Sequence, residues 1–75
     1  MTINELGRKL MEMYENAPRG YQVANIHLFG VKYADVIYEN DYKVSDIINA
    51  SGMNKSYATE VSKGIKLARY VIPKE

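Results

Sequence analysis

Apolar residues recur every three or four positions along most of the chain, and breaks in that recurrence divide it into four helical segments. Ile3, Leu6, Leu10 and Met13 share one side of a first helix, with Arg8, Lys9, Glu12 and Glu15 elsewhere. Thr2 and Glu5 are spaced as a capping box, so the pattern predicts a helix over about 3–16. Ala17-Pro18-Arg19-Gly20 ends it, because Pro18 disfavours helix at Ala17 and Gly20 permits a turn. Val23, Ile26, Phe29, Tyr33 and Ile37 then mark a second helix from Gln22 to Tyr38. Leu28, Val31 and Val36 spread its apolar surface over more than one face, as expected of the central helix of a domain. Gly30 costs about 1 kcal/mol relative to alanine inside a helix. Either it kinks the helix or another helix packs there too closely for a side chain; one continuous helix is expected.

Glu39-Asn40-Asp41-Tyr42 is polar and turn-prone. A third helix is predicted over about 44–50, followed by Gly52, and a fourth from Asn54, a favoured N-cap residue, to about Ala68. Gly64 interrupts this last pattern, although Ala58, Val61, Ile65, Ala68 and Ile72 continue a helical stripe across it. Val71-Ile72 before Pro73 is equally compatible with a short extended end. No second strand with a hairpin turn is present to pair with it, so no β-wing is predicted. The expected fold is an all-α, small four-helix domain, a single unit over 1–75, with an N-terminal helical hairpin supporting the third and fourth helices.

A domain of 75 residues has a thin core; chains this size bury only about 60% of the surface they expose when unfolded. The absence of cysteine removes disulfides and thiolate metal sites. A hydrophobic fraction of 47% is too high for a disordered chain, and no apolar run approaches the roughly 20 residues that span a bilayer. The start is polar and capped, without the basic and apolar regions of a signal peptide, so a cytoplasmic protein with no membrane partner is expected. The net charge is only +1, but residues 1–42 carry −2 and residues 43–75 carry +3. A molecule so polarised approaches a polyanion with its C-terminal half.

The segment 44–63 places two short helices around Gly52. The second has Ala58, Val61 and Ile65 as its apolar side and Asn54, Lys55, Ser56, Thr59, Glu60 and Lys63 as its polar side. Ile47 to Val61 resembles the helix-turn-helix of bacterial and phage transcription regulators, with Ile47, Gly52, Met53, Asn54, Ala58 and Val61 at the matching positions. The resemblance covers about 44–63. Gly52 supplies the left-handed turn, while Ile47, Met53, Ala58 and Val61 pack the two helices at a steep angle. One departure stands out. The family usually has a small residue where Ile48 stands, because the helices cross there. Ile48 implies a wider crossing or another direction, with Ala50 and Ser51 as small residues in a shifted register.

The resemblance implies DNA binding through a recognition helix at about 54–68. Asn54 and Lys55 lie at its start, where amides and dipole favour a phosphate. Ser56, Thr59, Glu60 and Lys63 are placed to reach base edges; lysine donates to guanine and glutamate accepts from cytosine. Tyr57 would contact a sugar or phosphate, and Lys43, Lys66 and Arg69 would hold the backbone without reading sequence. The bland alternative is a solvated amphipathic helix with ordinary surface charges.

Other features point away from chemistry. His27 is the only histidine and, with no cysteine, belongs to no metal-ligand cluster; a partly buried helical histidine is expected. Seven tyrosines are many for this length. Tyr14, Tyr21, Tyr33 and Tyr38 are expected to finish the core with their hydroxyls at its edge, a tyrosine interaction surface being the alternative. Asn49-Ala50-Ser51 and Asn54-Lys55-Ser56 match glycosylation acceptors but fall in helices of a chain with no export signal. No nucleophile-base-acid arrangement, phosphate loop or carboxylate pair appears, so no enzyme activity and no cofactor are expected.

The expected function is therefore sequence-specific binding of double-stranded DNA, as a small bacterial or phage transcription regulator or as the recognition module of a larger assembly such as a restriction or defence system. A homodimer follows as an expectation, meeting half-sites about 34 Å apart through helix 1 or the tyrosine-bearing face of helix 2. The alternative is a helical protein-protein interaction or dimerisation module without DNA binding.

Overall fold

The computed structural model describes residues 1–74. Glu75, counted in the charge balance and the 1–75 domain above, lies outside the described residues. Four α-helices follow in order: α1 (Ile3–Glu15), α2 (Gln22–Glu39), α3 (Val44–Ser51) and α4 (Ala58–Leu67). A single 3₁₀ turn, Lys55–Tyr57, leads into α4. No strand occurs among the described residues. No helix there is long and apolar enough to cross a membrane.

The caps set these boundaries. At α1 the Thr2 hydroxyl accepts from the Glu5 amide at 3.1 Å, and the Glu5 carboxylate accepts from the Thr2 amide at 3.0 Å, which completes the capping box. Gly20 turns at φ 88°, and the Tyr21 amide donates back to the Pro18 carbonyl. After α2, Asp41 takes a left-handed φ of 55°. The Asp41 amide donates to the Tyr38 carbonyl and the Tyr42 amide to the Ile37 carbonyl, the paired bonds of a Schellman cap. Gly52 closes α3 at φ 75°. Ser51, buried beneath that turn, donates to the Ile48 carbonyl at 2.6 Å and accepts from the Met53 amide at 3.1 Å.

The N-terminal hairpin of α1 and α2 carries one further helix on each arm: α1 packs on α3, and α2 packs on α4. Leu6 and Leu10 of α1 meet Ile26, Phe29 and Ile37 of α2, Ile47 and Ile48 of α3, and Val61 and Ile65 of α4 in one core. Burying an aliphatic or aromatic side chain of this size contributes about 1.5–3 kcal/mol. Asn25 ties the arms together by donating to the Met13 carbonyl at 2.9 Å. The Tyr42 hydroxyl donates to the Met1 carbonyl at 2.6 Å, which pins the α2–α3 connection to the N-terminus.

Several expectations are refined. α2 runs unbroken through Gly30 and α4 through Gly64, because the two helices touch at those glycines. Ile48 lies in the core. Ala50 and Ser51 serve the α1–α3 contact instead, where a side-chain carbon on Gly7 would meet the Ala50 Cβ at 2.7 Å. The fourth helix begins as a 3₁₀ turn, since Tyr57 bonds back to Asn54 at i−3, and its α-helical part ends at Leu67. Ile72 is off the helical stripe and 90% exposed. Tyr14 and Tyr33 do pack against the core, but Tyr21 (60%) and Tyr38 (68%) are turned outward. Tyr21 precedes the helix, and Tyr38 follows buried Ile37 by one position, which rotates it about 100° away.

Candidate nucleic-acid interface

Helical geometry divides α4 into two sides. Val61, Gly64 and Ile65 face α2 and are buried, whereas Thr59, Lys63 and Lys66 are exposed on the opposite side. Lys55 and Ser56 of the lead-in turn are also exposed and lengthen this ridge toward its N-terminal end. Asn54 is exposed as well, and its side-chain oxygen accepts from the Ser56 amide at 2.9 Å, so it caps the lead-in turn. Lys43 stands exposed at the N-cap of α3. Its neighbours Tyr42 and Val44, but not Lys43 itself, border one depression with Ser62 and Lys66.

Two of the predicted residues are held by the body of the domain. Tyr57 is half-buried, with its ring 5.4 Å from that of Tyr14 and its hydroxyl 3.1 Å from the Tyr14 hydroxyl. That shared hydrogen bond pushes the Tyr57 phenol above its ordinary value. Glu60 lies on the flank of α4 nearest α2. Its carboxylate accepts from the Lys63 ammonium at 3.0 Å and lies 3.4 Å from Nε2 of His27. The Lys63 contact first, and the His27 contact after it, hold the Glu60 carboxyl below its ordinary value against a partial desolvation that raises it. Among the described ridge residues this is the sole carboxylate, and both its neighbours are nitrogen donors.

The remaining ridge charges, Lys55 and Lys66, make no salt bridge among the described residues. The ridge therefore presents cationic and neutral donors to solvent, the chemistry that meets phosphates and base edges. No group of three or more histidine, cysteine or carboxylate side chains suited to a metal occurs among the described residues.

Three contributors were missed by sequence reasoning. Ser45 and Asn49 of α3 line a shallow groove with Lys55 and Ala58, so the first helix of the corner adds polar groups beside the ridge. Both fall at exposed helical positions of α3, four residues apart, and that spacing was the available signal. His27 reaches α4 from α2, outside the helix-glycine-helix segment altogether. Its signal was positional: His27 and Glu60 each lie one turn before a contact glycine, Gly30 and Gly64.

Compared with known families, residues 2–74 match the sequence model of a family described as an HTH-like domain. No curated protein and no solved structure matches the chain.

Proposed function

The chain belongs to the HTH-like domain family, and on that premise we propose that it binds double-stranded DNA, with the ridge of α4 entering the major groove. One observation carries this reading: the outward side of α4 and its lead-in turn holds Lys55, Ser56, Thr59, Lys63 and Lys66 together, while Glu60, the sole carboxylate of residues 54–68, is already paired. Lys43, Lys55 and Lys66 neutralise phosphates; Ser56, Thr59 and Lys63 reach base edges. Glu60, which already accepts from the Lys63 ammonium, serves in this reading to hold that lysine. The protein acts as a small transcription regulator or as the recognition module of a larger assembly, and two copies on adjacent half-sites supply the affinity that one small domain lacks. It is not an enzyme in this reading.

A salt titration of binding to labelled duplex, followed by fluorescence anisotropy, tests the proposal. The logarithm of affinity falls with the logarithm of salt by about 0.9 per phosphate neutralised. Lys55→Ala and Lys66→Ala are each expected to lower that slope by about 1. Lys9→Ala is the control, since Lys9 sits on α1 beside Glu12 at 3.7 Å. Undetectable binding at low salt, or equal effects of all three substitutions, overturns it.

A second reading draws on Leu67, the last residue of α4, and Tyr70, Val71 and Ile72 beyond it, all of them exposed. An apolar end of this kind suits a helical protein-interaction module. Binding to duplex that is indifferent to salt and to the ridge lysines favours that reading.

A further inference from the structure

His27 is the only histidine, and it touches the one carboxylate that touches a ridge lysine. The chain of contacts runs from α2 to α4: His27 Nε2 to Glu60 Oε2 at 3.4 Å, then Glu60 Oε1 to Lys63 Nζ at 3.0 Å. The two inner members are held. The side chains of His27 and Glu60 are 30% and 20% exposed, against 60% for Lys63. The His27 backbone lies at the close approach of α2 and α4, where a Cβ on Gly64 would strike the His27 carbonyl. Lys63 and Lys66 of α4, with Tyr70 beyond it, are the other titratable groups bordering the depression beside His27. No titratable residue stands three or four positions from His27 on α2 itself.

We propose that His27 is a positioning residue of the DNA-binding ridge: through Glu60 it decides whether Lys63 is free to meet DNA, so that affinity for duplex DNA rises as the imidazole takes up a proton. This inference rests on the DNA-binding reading above. With a neutral ring, the Glu60 carboxylate has Lys63 as its only cationic partner. The pair then presents no net charge to an approaching phosphate. A protonated ring becomes a second cation for the same carboxylate. Glu60 is then neutralised from the α2 side, and Lys63 leaves for the DNA at little cost. Protonation also adds one positive charge to this side of the molecule, which attracts a polyanion. Histidine is the side chain whose ordinary pKa puts this change between about pH 5 and 8. Linkage makes the effect reciprocal: bound DNA favours proton uptake by His27 as much as the proton favours DNA.

The test measures affinity of the full chain for one duplex from pH 8.0 to 5.5 at constant ionic strength, with circular dichroism on every variant. Affinity is expected to rise roughly five- to tenfold as pH falls, the lower part of the usual range for coupled sites. His27→Gln should flatten the profile at its high-pH level. Glu60→Gln should bind at pH 8.0 at least as tightly as the unsubstituted chain does at pH 5.5, because Lys63 is then never held back. Lys63→Ala should cost more affinity at pH 5.5 than at pH 8.0. A flat profile in the unsubstituted chain, a slope that survives His27→Gln, or weaker binding by Glu60→Gln at pH 8.0 overturns the inference. A lysine-dependent salt slope alongside a flat pH profile defeats this inference alone. Absence of DNA binding at low salt and every pH defeats the DNA-binding reading and this inference with it.

Discussion

Gly30 of α2 and Gly64 of α4 meet backbone to backbone. A Cβ on Gly30 would stand 2.5 Å from the Val61 carbonyl oxygen and 2.7 Å from the Ile65 amide nitrogen, and one on Gly64 would strike the His27 carbonyl. Alanine in a helix interior is intrinsically favoured over glycine by about 1 kcal/mol. Here that gain is outweighed, because the obstacle is main chain and yields only if the two helices separate. Separation opens the packing of Phe29 and Ile65 at the centre of the core. Gly30→Ala and Gly64→Ala are each expected to destabilise the domain by about 3 kcal/mol or more, at the upper end of overpacking effects. Total stability for 75 residues is of the order of 4–11 kcal/mol. Urea denaturation of the two variants gives the number; a change below about 1 kcal/mol in either would mean the helices stand farther apart.

Gly52→Ala separates conformation from space. Nothing lies within 4 Å of a Cβ built there, so only the φ of 75° is at issue. The expected loss is about 1–2 kcal/mol, the cost of a left-handed residue with a side chain, and less than that of Gly30→Ala. The mirror experiment is Asp41→Gly, where an L residue already holds φ 55°. That change is expected to stabilise by up to about 1 kcal/mol, provided glycine's greater unfolded-state freedom does not consume the gain.

Tyr57 was expected to touch DNA, yet its hydroxyl is engaged by Tyr14 at 3.1 Å. Stability and binding assign its role independently. Tyr14→Phe and Tyr57→Phe should each lower stability, with the double variant losing less than the sum, because both remove the same bond. If Tyr57→Phe weakens duplex binding while Tyr14→Phe does not, the hydroxyl leaves its intramolecular partner on binding. Equal effects of the two on binding place the pair in the scaffold that aims α4.

The local part of this architecture was readable from sequence. Thr2 with Glu5, Gly20, Gly52 and Asn54 act within a few residues of themselves, and each behaves as its type and position predict. The grouping of Lys55, Ser56, Thr59, Lys63 and Lys66 followed as well, because helical periodicity alone puts them on one side. What sequence withheld was partner choice between distant segments. Gly30 was legible as a kink or a close contact, but not as a contact with Gly64. His27 and Glu60 are 33 residues apart and Tyr14 and Tyr57 are 43 apart, and both pairings arise only when α2 lies on α4 and α1 reaches the lead-in turn. The same limit explains the tyrosines. Tyr21 and Tyr38 are the same residue type as Tyr14 and Tyr33; Tyr21 is turned outward because it stands ahead of its helix, and the phase of the other three along theirs decides which faces the core.

Two carboxylates give stability a defined pH dependence. Glu60 is held below its ordinary value by Lys63 and His27, and Glu5 by the Thr2 amide and hydroxyl. Each carboxylate is more acidic folded than unfolded, so each contributes stability that is fully present above the ordinary carboxylate value. That contribution is lost as pH falls from there through the folded pKa. The urea midpoint should therefore decline as pH falls below about 4.5. Glu60→Gln should lower stability at pH 7 and flatten the decline, so that its curve converges on that of the unsubstituted chain in acid. Glu5→Gln isolates charge from hydrogen bonding, because glutamine still reaches back to the Thr2 amide in a capping box. It should lose its share of the acid dependence while keeping most of its stability at pH 7. Parallel curves for the unsubstituted chain and Glu60→Gln down to pH 3 would show that the carboxylate gains nothing from Lys63 and His27 on folding.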